Sequence, residues 1–100
     1  MVILSYRPIQ DFTATHPEAK VSMDEWFEKC ETAHWTSFHQ MKRTFNSVDA
    51  IGKDRYIFNI GGNKYRAVVM IHFTVRTMYI KWIGTHHQYD SINPLTAGDY

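Results

Sequence analysis

The alternation of apolar and polar side chains between Tyr56 and Ile83 limits what this chain can fold into more than any other feature of its sequence. A period of two is the pattern of β-strands that bury one face of a sheet. It is interrupted at Gly61-Gly62, a dipeptide typical of hairpin turns that need positive φ, and again near Thr74-Val75. The pattern predicts two antiparallel hairpins, built from strands at 56–60, from 63 or 64 to 73, and at 76–83.

Two-residue turns would fix the pairing of these strands, with Ala67 opposite Trp82 and Phe58 opposite Tyr65. One face of the sheet is then almost wholly apolar and must pack against helices. That face contains Tyr56, Phe58, Tyr65, Ala67, Val69, Ile71, Phe73, Met78, Ile80 and Trp82. The opposite face contains Arg55, Ile57, Asn59, Lys64, Arg66, Val68, Met70, His72, Tyr79, Lys81 and Ile83.

The first half of the chain has helical periodicity instead. A short strand is predicted at 2–6 and one or two helical turns at 9–14. Thr15, with Glu18 three residues later, is expected to cap a longer helix. The apolar stripe of that helix is Ala19, Met23, Trp26, Phe27, Cys30 and Ala33. Ser37 is expected to cap a second helix, whose apolar side is Phe38, Met41 and Phe45.

Near the end of the chain, Thr85 and Gln88 can cap a final short helix, and the tail from Asn93 is expected to be loosely ordered. The whole pattern predicts an α+β fold in a single domain over 1–100. In that fold an N-terminal strand and two helices pack on a small antiparallel sheet, and a short C-terminal helix follows.

Composition excludes several classes of protein. A hydrophobic content of 44% supports a packed core. A single cysteine, Cys30, excludes an intrachain disulfide and a cysteine-based zinc finger. We find neither a metal-ligand spacing nor a phosphate-binding loop, so no metal and no cofactor is expected. No apolar run approaches the ~18–20 residues that span a membrane, so we expect a cytoplasmic protein with no membrane partner.

Positive charge is concentrated in one part of the chain. The formal net charge is only +1, but the stretch from Lys42 to Lys81 holds eight basic residues and two acidic ones. Such a region can hold a polyanion, although a solvated face beside an acidic helix is the commoner interpretation. The predicted pairing favours a site, because it places four cations on one face and brings Arg66 close to Lys81.

The predicted C-terminal helix starts where this cationic face ends. On it, His86, Tyr89 and Asp90 would share one side, with Asp90 orienting the imidazole. Histidine, tyrosine, arginine and lysine without paired carboxylates suit phosphoryl chemistry on RNA. The plainer interpretation is a partly exposed histidine in a C-terminal turn.

Two segments resemble HigB toxins, which belong to the RelE-like superfamily of bacterial mRNA interferases. The segment Phe58-Asn59-Ile60-Gly61-Gly62-Asn63-Lys64-Tyr65-Arg66 is similar to the signature F-N-x-x-G-N-K-Y-R of that family. The segment Thr85-His86-His87-Gln88-Tyr89-Asp90 is similar to T-H-x-x-Y-D. Chain length and the order of elements also agree, so the resemblance covers essentially the whole chain.

The resemblance implies an endoribonuclease that cuts mRNA, usually on the ribosome, and that a HigA-like antitoxin with a helix-turn-helix domain neutralises. By motif position, the functional residues would be Lys64, Arg66, His86 and Tyr89. Asn63 would shape the turn, Asp90 would support the site, and Lys53, Arg55 and Lys81 are the expected RNA-binding residues. We expect metal-independent attack of a ribose 2′-OH on the adjacent phosphate, leaving a 2′,3′-cyclic phosphate.

Two other interpretations of the basic face remain open at this point. It would serve a non-catalytic RNA-binding module, although Tyr79 is the only aromatic residue predicted on it. It would also serve a protein-interaction domain that binds an acidic partner. Single-site variants that lose cleavage but keep binding would favour the enzyme.

Overall fold

The computed structural model describes residues 1–99, and its centre is a five-stranded sheet in the order β1-β5-β4-β3-β2. The strands are β1 Val2–Leu4, β2 Asp49–Gly52, β3 Arg55–Ile60, β4 Tyr65–His72 and β5 Thr77–Thr85. The helices are α1 Arg7–Thr15, α2 Lys20–Thr32, α3 Phe38–Thr44 and α4 His86–Tyr89, with 3₁₀ turns at Pro17–Ala19 and Phe73–Val75. The predicted α+β fold is confirmed. The sequence did not predict β2, or that β1 pairs with β5 in parallel.

The apolar face of the sheet packs against α2 and α3, as its composition requires. Trp26 of α2 meets Phe58 of β3 with ring centroids 5.3 Å apart, and Phe45 meets the same ring at 5.1 Å. The apolar side of α2 is buried at Met23, Trp26 and Cys30, and Ala19 in the 3₁₀ turn before it is buried too. Burial raises the pKa of the Cys30 thiol, so this cysteine is an unreactive core residue.

The helix start predicted at Thr15 is wrong. Helix α1 continues through Thr15, whose hydroxyl donates to the Phe12 carbonyl oxygen at 3.2 Å, and α2 begins only at Lys20 without a side-chain cap. The Ser37 cap is confirmed, because its hydroxyl accepts from the Gln40 backbone N–H. For α2, the apolar stripe was therefore a more reliable signal than the capping pattern of Thr15 and Glu18.

The first hairpin has a longer loop than predicted. Ile60 pairs with Tyr65, so four residues form the loop, and both Gly61 and Gly62 have positive φ, at 63° and 71°. Phe58 therefore lies opposite Ala67 rather than Tyr65. A shift of two residues keeps every side chain on its predicted face.

A β-bulge in β5, by contrast, moves the side chains that follow it to the opposite face of the sheet. The predicted pairing with β4 holds as far as Ile80, but the next pair is Trp82 opposite Val68, which leaves Lys81 as an extra residue. An extra residue reverses the alternation beyond it. The predicted placements of Trp82 and Ile83 are therefore wrong: Trp82 moves to the outer face, and Ile83 packs against the core.

The last described residues pack on the outer face, so the prediction of a loosely ordered tail is also wrong. Arg55 is only 1% exposed and donates through Nη1 to the carbonyl oxygens of Pro94 at 2.9 Å and Ala97 at 2.8 Å. Its Nη2 lies 2.8 Å from one carboxylate oxygen of Asp99 without hydrogen-bond geometry, and the other oxygen lies 3.4 Å from Lys81 Nζ. The prediction that Arg55 is an accessible RNA-binding residue is wrong, because its side chain anchors the tail.

We expect Arg55→Ala to lower the free energy of unfolding by about 3 kcal/mol, since it removes the buried side chain that joins β3 to the tail and leaves two partly buried carbonyls without their donor. Arg43→Ala, at an exposed position on α3, should change it by no more than about 0.5 kcal/mol. Urea unfolding measures both changes. Limited proteolysis should also cut the Arg55→Ala tail faster, and equal midpoints for Arg55→Ala and the parent would contradict the anchoring role.

Candidate functional site

Helix α4 and the loop between β3 and β4 meet at one end of the sheet. The predicted capping box is confirmed: Thr85 Oγ1 accepts from the Gln88 backbone N–H at 3.0 Å, and Gln88 Oε1 accepts from the Thr85 backbone N–H at 2.9 Å. The His86 backbone N–H then donates to the Lys64 carbonyl oxygen at 2.9 Å. These bonds fix the start of α4 beside the loop, so the two segments that carry the sequence motifs are neighbours.

Arg66 is the cation at this end of the sheet whose side chain is held by neighbouring side chains. Its Nη1 donates to Asn63 Oδ1 at 2.7 Å, and its guanidinium carbon lies 5.8 Å from the centroid of the Tyr89 ring. A cation over an aromatic face is attracted by the negative face of the ring. Asn63 and Tyr89 therefore both hold the guanidinium in place, on a partly exposed surface.

The hydroxyl of Tyr89 is kept protonated. Burial raises the pKa of Tyr89, the carboxylates of Asp49 and Asp90 raise it further, and Arg66 opposes them. Since the ordinary value for a phenol is already about 10, this group carries its proton throughout the neutral range. In this state it can donate a hydrogen bond to an anion.

His86 and Lys64 lie at the same end of the sheet, and both are exposed. Among residues 1–99, no hydrogen bond or ion pair links the side chains of His86 and Asp90, so the predicted contact between them is not formed. Asp90 instead donates its backbone N–H to the His87 carbonyl oxygen at 3.2 Å. His86 is thus positioned through its backbone, and no carboxylate of residues 1–99 directs its ring.

The other predicted cations lie apart from this group. Lys53 is in the turn before β3, at the opposite end of that strand from Lys64, roughly 20 Å away along it. The partner of Arg66 in β5 is Gly84, three residues beyond Lys81 and roughly 10 Å along the strand. The predicted proximity of Arg66 and Lys81 is therefore wrong, and Lys81 pairs with the tail.

Trp82 is the residue of this surface that the sequence reasoning missed. The bulge turns it outward, and its ring lies over Gly84 with its centroid 6.2 Å from that of Tyr89. A Cβ added at Gly84 would stand 2.3 Å from the Trp82 ring, so only glycine leaves room for it. A glycine inside a strand often marks such a close approach, and this was the available signal.

The arrangement offers hydrogen-bond donors and positive charge rather than metal ligands. In residues 1–99, no cluster of three or more His, Cys, Asp or Glu side chains could hold a metal ion, and no helix is long and apolar enough to cross a membrane. The Arg66 guanidinium lies over the Tyr89 phenol at this end of the sheet, and the exposed Lys64 and His86 are joined beside it by a backbone hydrogen bond. This set can bind a phosphodiester and transfer protons beside it.

Comparison with known proteins gives a family and several relatives. A family model described as HigB_toxin, RelE-like toxic component of a toxin-antitoxin system, matches residues 19–92, which include both motif segments. mRNA interferase toxin HigB of Escherichia coli (strain K12) is 26% identical over 92 residues, 90% of this chain and 88% of that protein. mRNA interferase HigB of Shigella flexneri has the same values, and that of Escherichia coli O6:H1 is 21% identical over 94 residues, 92% of this chain and 91% of that protein.

We expect Gly84→Ala to push the Trp82 ring away from Tyr89, because the new methyl group would overlap the ring. Nuclear Overhauser contacts between the two rings should disappear, and overpacking should cost about 1–3 kcal/mol of stability. Gly62→Ala is the matched control: it has a positive φ of 71° but nothing within 4 Å of its Cβ, so it should keep the contacts. Unchanged contacts in Gly84→Ala would contradict the observed packing.

Proposed function

Because the chain belongs to the HigB toxin family of RelE-like toxic components of toxin–antitoxin systems, we propose that it is an mRNA interferase, an endoribonuclease that cleaves mRNA. The resemblance found in the sequence is thereby confirmed, and an antitoxin is its partner. One observation supports the activity above others. Arg66 is held between Asn63 and Tyr89 on an accessible surface, next to His86 and Lys64.

The proposed reaction is a metal-independent transesterification. The ribose 2′-oxygen attacks the adjacent phosphorus, the bond from phosphorus to the 5′-oxygen breaks, and a 2′,3′-cyclic phosphate and a 5′-hydroxyl are left. The proton of the 2′-hydroxyl goes to a base, and the 5′-oxygen receives one from an acid. The phosphorane formed on the way carries an extra negative charge, which the Arg66 guanidinium and the Lys64 ammonium would stabilise.

The proton-transfer roles follow from the chemistry of the side chains. Imidazole exchanges protons near neutrality, so His86 is the proposed proton-transfer group. Tyr89 keeps its proton and donates a hydrogen bond to a phosphate oxygen while it supports Arg66. Asn63 acts through Arg66 as a positioning residue.

The proposed partners follow from the same role. The substrate is mRNA, on the ribosome, and the site of action is the cytoplasm. The antitoxin is a HigA-like protein with a helix-turn-helix domain. The toxin unit is a single RelE-like domain over residues 1–100, which presents the Arg66 surface to RNA.

We expect Arg66→Ala to abolish toxicity while the protein stays folded. Arg66 is on the outer face, so its truncation removes little core packing, whereas the loss of one charge-stabilising donor costs about 10²–10³ in rate. Growth arrest after induction and single-turnover cleavage measure the effect. Arg43→Ala, which removes an exposed arginine from α3, should arrest growth like the parent.

A folded Arg66→Ala protein with full toxicity would exclude this role. Retained RNA binding without cleavage in Arg66→Ala is the result that separates an enzyme from a binding module. If the parent itself bound RNA without cutting it, in the presence and absence of ribosomes, the proposed activity would be wrong.

We expect His86→Gln to keep binding and lose cleavage, because glutamine can form hydrogen bonds but cannot titrate near neutrality. His87→Gln is the matched control, since His87 is equally exposed on α4 but one residue, or ~100° of helix rotation, away. Single-turnover cleavage of both variants across pH measures the effect. Cleavage lost in His87→Gln and kept in His86→Gln would transfer the role to His87.

A further inference from the structure

The surface around Arg66 and Tyr89 continues past Trp82 into an open cleft of about 480 Å³. The start of α1 forms one wall, with Arg7 and Asp11, and β5 forms the other, with Lys81 and Trp82. Trp82 therefore joins the two: its side chain lines the cleft, and its ring lies beside the Tyr89 ring. A ligand that passes Tyr89 along this side of the molecule reaches the cleft next.

Trp82 is placed where a core tryptophan would not be. The bulge at Lys81 turns it away from α2 and α3, whereas Trp26 and Trp35 are 3% and 5% exposed. Its ring is tilted by 57° to that of Tyr89, so the two rings are not a stacked pair. A partly exposed indole beside an open cleft is a surface on which a flat aromatic group can stack.

The two cations of the cleft differ in their partners. Arg7 is paired with Asp11 at 3.4 Å, and both side chains are mostly exposed. An exposed pair of this kind contributes little to stability, so an incoming phosphate can replace Asp11. Lys81 is less exposed and is paired at 3.4 Å with Asp99, which also pairs with Arg55. The cleft thus combines an aromatic surface with one exchangeable positive charge and a second, partly buried one.

We propose that this cleft is a nucleotide subsite for the RNA strand next to the scissile phosphate. A base unstacked from the strand lies on the Trp82 ring, and Lys81 and Arg7 contact the phosphates beside it. Single-stranded RNA is commonly held in this way, by aromatic stacking and backbone charge together. The inference rests on the proposed function, because the strand must pass Arg66 and Tyr89 to reach the cleft.

The test uses an RNA oligonucleotide with 2′-O-methyl groups at every position, which lacks the attacking hydroxyl and cannot be cut by the proposed reaction. Trp82→Leu should weaken its binding about 10- to 100-fold, and Trp82→Phe should keep most of the affinity. Tyr79→Leu is the matched control, since it removes a partly exposed aromatic ring from β5 before the bulge, and it should bind like the parent.

Tryptophan fluorescence of the parent protein gives a second measurement that needs no core substitution. Trp26 and Trp35 are buried, so a quench on binding should come from Trp82 and should be absent in Trp82→Phe. Gly84→Ala, which displaces the ring, should weaken binding as Trp82→Leu does.

Two results would overturn the subsite: a fluorescence signal that RNA leaves unchanged, or equal affinity and equal KM in Trp82→Leu and the parent. Failure of the proposed function looks different. A parent that binds the methylated RNA with a quench but leaves unmodified mRNA intact keeps the subsite and loses the activity. A parent that cleaves mRNA, with Trp82→Leu cleaving it identically, keeps the activity and loses the subsite.

Discussion

The burial of one face of the sheet against α2 and α3 is the constraint on which the remaining structure depends. Phe58 packs between Trp26 and Phe45, and the burial of each large apolar side chain contributes about 1.5–3 kcal/mol. Because the side-chain period of a strand is two, fixing this inner face also fixes which residues point outward. The position of Arg66 on the outer face is thus a consequence of core packing several residues away.

The outer face of the sheet has one open end and one end covered by the tail. At one end, Arg66, Tyr89 and Trp82 are partly exposed, while at the other the tail closes over Arg55. A buried guanidinium needs compensation, and here two carbonyls accept hydrogen bonds from Nη1 and one carboxylate supplies an ion pair. The tail therefore removes one cation of the basic face from reach and leaves the Arg66 end open.

Sequence reasoning predicted most of the helices and strands, although not β2, because their signals are local patterns. The alternation of β3, β4 and β5 survived an error of two residues in the first hairpin, since an even shift preserves faces. The bulge at Lys81 is a single-residue insertion with no periodic signature, so Trp82 and Ile83 were assigned to the wrong faces. The tail was missed for another reason: its contacts join Arg55 to residues 39 and 42 positions later.

The site itself is only partly preorganised. Arg66 is held by Asn63 and Tyr89, whereas no side-chain hydrogen bond or ion pair in residues 1–99 restrains Lys64 or His86, although a backbone bond fixes their main chains side by side. Holding two flexible side chains in one geometry has an entropic cost, which is lowest when a substrate supplies the contacts. Under the proposed function, a base stacked on Trp82 would bring the strand past Tyr89 and set the phosphate against Arg66. His86 and Lys64 would then be ordered by the substrate, so the reactive geometry would be completed only on RNA.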